Sequence, residues 1–249
     1  MPTQLVVKFL EIYNEIMKNL SNDQIIQLNQ YSVYAEKPDH PVFTLEDIMD
    51  TAKTADCLKT VEVISGSPNS VVAASFFMRR YGMFAAMQLT NLTMYDEMWQ
   101  GTPGCLTFGA KVEYGNRTVS TYTDEADWKL VDHREEAIRF LLVQANDLIQ
   151  QIREAVAVSP LTLWENIFGF LLWQYHVMLN HPATASEARH DLNILKDDQT
   201  WAGIAPFSRF AKYLNGSEPS ALLNTTVRTT CCFSKDVPGL IQCGFCPLK

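Results

Sequence analysis

Leu5, Phe9, Ile12, Ile16 and Leu20 fall three or four residues apart, the spacing that lines one face of a helix. They predict an amphipathic helix over 3–30, interrupted near Ser21-Asn22-Asp23. Pro38 and Pro41 close that segment, and Thr44-Leu45-Glu46-Asp47 is a capping box for a second helix running to about Lys59. Val61-Glu62-Val63-Ile64 alternates and is rich in β-branched residues, which predicts a short strand. After the turn Gly66–Ser70, Asn69 or Ser70 is placed to cap a long helix to about Trp99.

Between Gly104 and Val131 the pattern changes to short β-type runs: 106–108, 111–114, 118–122 and 128–131, with Gly115-Asn116 as a hairpin turn. Helical spacing resumes over 133–156, then from Ser159-Pro160, which reads as a cap followed by proline at the first helical position. Further helices are expected over 185–196 and 207–214. The expected fold is α+β, mainly α-helical, with a small antiparallel β-sheet and a C-terminal metal-binding hook. The division is a helical body over 1–220 and a metal-bearing segment over 221–249 packed on it.

Hydrophobic residues make up 47% of the 249 positions and charged ones 19%, a globular composition. The formal charge of −8 argues against a nucleic-acid partner, which would call for a basic face. The most apolar stretch, Leu161–Leu179, is broken by Glu165, Asn166, Gln174 and His176, so a buried helix is favoured over a membrane span. Met1–Leu10 lacks the features of a secretory signal, and cytoplasm is the expected compartment. Thiols stay reduced there, and clustered ones point to metal.

Four of the six cysteines are so clustered: Cys231-Cys232, ten residues, then Cys243-Gly244-Phe245-Cys246. Soft thiolates favour zinc or iron–sulfur centres. A zinc site usually takes two hooks of the second kind, whereas adjacent cysteines point apart along an extended chain and suit a wider cluster better. Both metals remain open on spacing alone. Gly244 is expected to take a positive φ and turn N–H groups toward sulfur.

The run Arg228-Thr229-Thr230-Cys231-Cys232 through Cys243-Gly244-Phe245-Cys246-Pro247 resembles the C-terminal signature of the FhuF-like ferric-siderophore reductases. Upstream, Ala74-Ser75-Phe76-Phe77-Met78-Arg79-Arg80-Tyr81 is similar to a helix near the middle of such proteins. The resemblance implies a 2Fe–2S cluster on Cys231, Cys232, Cys243 and Cys246. It also implies one-electron reduction of a hydroxamate- or citrate-type ferric siderophore. No nucleotide or flavin motif is visible, so the electron is expected from a ferredoxin or flavodoxin-type partner. Such work belongs in the cytoplasm, including the inner membrane face beside a transporter. Two alternatives stay open: a zinc-stapled binding protein without catalysis, and an iron–sulfur carrier or sensor without a siderophore site.

Arg79, Arg80 and Tyr81 are the candidates for binding the chelate, since guanidinium groups suit carboxylates. The opposing expectation has Arg80 solvated and Arg79 in a salt bridge. Cys57 and Cys105 stand alone and are expected to be small buried hydrophobes. His133-Arg134-Glu135-Glu136 reads as a helix start, with its acids at the positive end of the dipole, and His176 and His181 lack a carboxylate or thiol at ligand spacing. Trp164, Phe168, Phe170, Trp173 and Tyr175 cover more than one helical face and are expected in the core, with ligand lining as the alternative.

Overall fold

The structure, a computed structural model, describes residues 20–113 and 115–248. The expected helix over 3–30 is therefore seen only as α1 (Asn22–Gln30); its earlier part lies outside the described residues. Ser21 accepts the Gln24 N–H, and the Gln24 side chain bonds back to Ser21 N, a closed capping box.

The Thr44 capping box forms as expected, but its helix α2 (Leu45–Met49) is short. The chain breaks at Asp50 and restarts as α3 (Thr54–Ser65). The strand expected over 61–64 is thus corrected to helix. Val61 is buried and Val63 exposed on that helix, and tertiary packing overrides β-propensity.

Asn69 caps α4 (Ser70–Tyr95), its side-chain oxygen accepting the Val72 N–H at 3.0 Å. This helix is buried on nearly all sides, as a central element must be. It ends at Asp96 (φ +56°), short of the expected Trp99. The next residues form β3 (Glu97–Trp99), antiparallel to β6 (Trp128–Leu130).

The second sheet has order β1-β5-β4-β2, from β1 (Val33–Tyr34), β5 (Asn116–Tyr122), β4 (Thr107–Glu113) and β2 (Pro41–Thr44). The β4–β5 hairpin is antiparallel, with Gly115 at φ +80° in its turn. The expected all-antiparallel sheet needs correction, because β1 runs parallel to β5. Two-residue β1 carries too little pattern to read. Pro41 starts an edge strand, where a missing N–H is tolerated.

Helices α5 (Arg134–Ala155), α6 (Pro160–Leu179), α7 (Ala185–Lys196), α8 (Arg209–Leu214) and α9 (Pro219–Leu222) complete the body. No helix among the described residues is long and apolar enough to cross a membrane. The crossing of α4 with α6 positions the site. At Gly82 a Cβ would stand 2.9 Å from both the Asn166 carbonyl oxygen and Ile167 Cα, so only glycine permits this approach.

Candidate metal centre

Residues 228–248 lie across the α4–α6 crossing and are held by buried polar groups. The Arg228 guanidinium donates to the main-chain oxygens of Glu165 (3.0 Å) and Thr162 (3.3 Å). One Glu165 carboxylate oxygen accepts the Thr229 N–H and hydroxyl, both at 2.9 Å; the other accepts the Thr230 N–H at 3.0 Å and the Thr230 hydroxyl. The Asn166 amide donates to the Ser75 carbonyl and hydroxyl oxygens, and the Ser75 hydroxyl donates to the Cys232 carbonyl at 2.8 Å. One polar chain therefore runs from α6 through α4 to the adjacent cysteines. Further on, Pro238 rests against Gly66 and the Phe245 ring against Gly169.

Two of the four sulfurs accept a main-chain N–H from the second residue onward: Phe233 N–H reaches Cys231 Sγ at 3.3 Å and Leu248 N–H reaches Cys246 Sγ at 3.4 Å. Ser234 and Phe245, at the same spacing, favour the anionic form of Cys232 and Cys243. The Gln242 amide adds a second donor to Cys246 at 3.0 Å. Phe233 adopts φ +57°, a conformation that strains a bulky side chain, immediately beside the vicinal pair. Gly244, expected to have positive φ, is not among the residues that do; Gly239 carries it (φ +77°), where the chain turns over Asn116 and leaves no room for a side chain.

The Cys232 and Cys243 thiols drive each other's acidity in opposite directions. The Cys243 thiol, then Ser234 and Arg79, hold Cys232 well below the ordinary thiol range against its burial. Cys243 is pushed up by the Cys232 thiol and by burial. All six cysteines are free. Among the described residues no three of Cys, His, Asp or Glu stand close enough to hold one ion. The donor chemistry fits a thiolate-held group: soft ligands on one segment, with Cys231 and Cys246 each given an N–H that favours the anionic form.

A cleft of about 420 Å³ opens beside the hook. Cys243, Gly244 and Phe245 form one wall and Arg79, Phe170 and Trp173 face them. Asn166, 2% exposed, also lines it, and its side-chain oxygen has no partner among the described residues. A second cleft of about 300 Å³, lined by Arg79, Arg80, Glu113 and the 237–240 turn, lies on Arg79's other side.

The three substrate candidates separate. Arg79 points a guanidinium nitrogen at Cys232 Sγ, 3.8 Å away, and has no carboxylate at ion-pair distance among the described residues. Arg80 is not solvated: its side chain, 13% exposed, pairs with Glu113 at 2.9 Å and donates to the Val119 carbonyl at 2.6 Å. Tyr81 is fully buried, its hydroxyl bonded to Gln144, and lines neither cleft. Its placement in the core, one residue round the helix from Arg80, explains its presence without a ligand.

Of the aromatic group, Trp164, Phe168 and Tyr175 are core, while Phe170 and Trp173 line the first cleft. Cys57 is buried as expected; Cys105 is exposed at the edge of a turn, contrary to expectation. His176 bonds Ser220 at 2.9 Å, and His133 precedes α5 without capping it. Glu165, Asn166 and Ser75 were not singled out by sequence as site residues; their signal was polarity inside otherwise apolar helices. Compared with known proteins, the chain matches no family model, no curated sequence and no solved structure.

Proposed function

We propose that the chain is a cytoplasmic ferric-siderophore reductase whose Cys231, Cys232, Cys243 and Cys246 hold a 2Fe–2S cluster. The observation that carries this reading is the main-chain N–H donated to Cys231 and Cys246, with the Arg79 guanidinium reaching Cys232 Sγ beside a cleft walled by Cys243. When bound, such a cluster supplies a one-electron donor at that wall.

The chain's own groups have separate tasks. Phe233 and Leu248 steady negative sulfur through their N–H groups. Arg79 offers its charge to an anionic chelate. Phe170, Trp173 and Phe245 shape the cleft and exclude water. Ferric ion in the substrate is held by hard oxygen donors; after one electron it is softer and less charged, and those donors release it. The electron comes from an external ferredoxin or flavodoxin-type partner.

The test is a visible and EPR spectrum of anaerobically purified protein with iron, sulfide and zinc analysis. Two irons and two sulfides per chain, bleached by dithionite, are expected. A colourless protein with one zinc and no sulfide would replace the reductase with a zinc-stapled binding protein. A loaded protein that neither binds nor reduces ferric hydroxamates or ferric citrate would be an electron carrier.

A further inference from the structure

Arg79 stands between two clefts and against the cysteines. One of its guanidinium nitrogens lies 3.8 Å from Cys232 Sγ, and that sulfur is the one acceptor it meets among the described residues. A guanidinium carries five N–H donors, so most of its capacity is unused by the chain. The spare donors are not buried; they open into the clefts on either side.

The surroundings leave this charge uncompensated. The lining of the first cleft contains no Asp or Glu, and its other cation, Arg228, is engaged by Glu165 and by main-chain oxygens. In the second cleft Glu113 is already taken by Arg80, Ser32, Tyr34 and Ser120. A positive group at a ligand sulfur favours the more negative, reduced form of a bound cluster and raises its potential. An anion that draws the same guanidinium toward a cleft weakens that effect.

We infer that Arg79 is a positioning residue shared between the Cys232 sulfur and the substrate, so that docking of an anionic chelate lowers the potential and makes the electron easier to give. The role rests on the reductase reading and adds a regulation to it. It also selects among substrates: three hydroxamates leave ferric ion neutral, whereas citrates leave excess negative charge, so the citrate type is the one that engages Arg79.

The test is an EPR-monitored redox titration of the anaerobically purified full chain, alone and with saturating gallium(III) citrate or a gallium(III) trihydroxamate. Gallium carries the ferric charge but takes no electron. Gallium citrate should lower the midpoint by about 59 mV, the one-electron equivalent of a tenfold change. Binding is reciprocal, so calorimetry should give it an affinity about tenfold weaker for reduced than for oxidised protein. The trihydroxamate should shift neither. Arg79→Gln should start from the lowered potential and show no response. The parent measurement stands alone if that variant loads no iron. An unmoved parent potential, an equal shift with both gallium chelates, or a citrate shift that persists in Arg79→Gln would each overturn the inference. Two irons and two sulfides with an unmoved potential overturn it alone; a parent without iron or sulfide overturns the reductase reading as well.

Discussion

The Glu165 carboxylate and the Arg228 guanidinium lie 3.7 Å apart inside the protein, 2% and 4% exposed. Neither could be buried alone. With Thr229 and Thr230 they form a clasp that fixes the chain one residue before Cys231.

Removing one partner leaves the other charged and dry. Glu165→Ala should therefore cost about 3–5 kcal/mol in urea unfolding, and Glu165→Gln, which keeps the shape, should cost less. Iron and sulfide content should fall in the alanine variant. A change within about 0.5 kcal/mol would mean the clasp does not hold the segment.

Neighbouring arginines should answer differently. Arg80→Gln breaks a buried ion pair and should cost about 3–5 kcal/mol. Arg79→Gln should leave stability within about 0.5 kcal/mol while weakening the anionic chelate. Burial works against the charge on Glu113, yet Arg80, Ser32 and Ser120 hold its pKa below the ordinary 4.5. A depressed folded pKa stabilises above the unfolded value and is lost as the pH falls through the folded one. Acid unfolding below pH about 4.5 should thus be less steep in Arg80→Gln than in the parent.

Thiol reactivity gives a second pH signature. Burial, with Asp47 and Asp56 nearby, pushes the Cys57 thiol up to about 11 from 9.0. A raised folded pKa means stability is complete below 9.0 and declines as the pH rises through 11. In metal-free protein, iodoacetamide should modify Cys232 near neutral pH and spare Cys57, as read by peptide mass mapping. Cys243→Ser should slow the reaction at Cys232, because the Cys243 thiol does most to make Cys232 acidic.

Trp173 is 45% exposed and lines the first cleft, so its packing contribution to the fold is modest. Trp173→Ala should raise KM for the chelate by about tenfold, with kcat and thermal stability little changed. Loss of kcat at constant KM would place Trp173 on the electron path instead of in the binding surface.

Much of the fold was legible in local signals. The caps at Thr44 and Asn69 form as their chemistry indicates, and the helices from Pro160 and over 185–196 form where spacing indicates, although the Ser159 side chain makes no capping bond. The strand expected at Val61–Ile64 failed because burial on α3 outweighs β-branching, and two-residue β1 has no periodicity to detect. At the candidate site, cysteine spacing drew attention to the segment 231–246, but its supports were hidden in plain view. Glu165 and Asn166 counted against a membrane span; inside the fold they are the groups that anchor Thr229, Thr230 and, through Ser75, Cys232. A charge in an apolar helix announces a partner without naming it.

Every group that grips residues 228–248 from the body, from Gly66 through Ser75 and Asn116 to Gly169, precedes that segment in the chain. During synthesis the platform can close while the cysteines are still inside the ribosome. The cysteines then emerge onto a finished surface, which sets the order of folding: body first, then clasp.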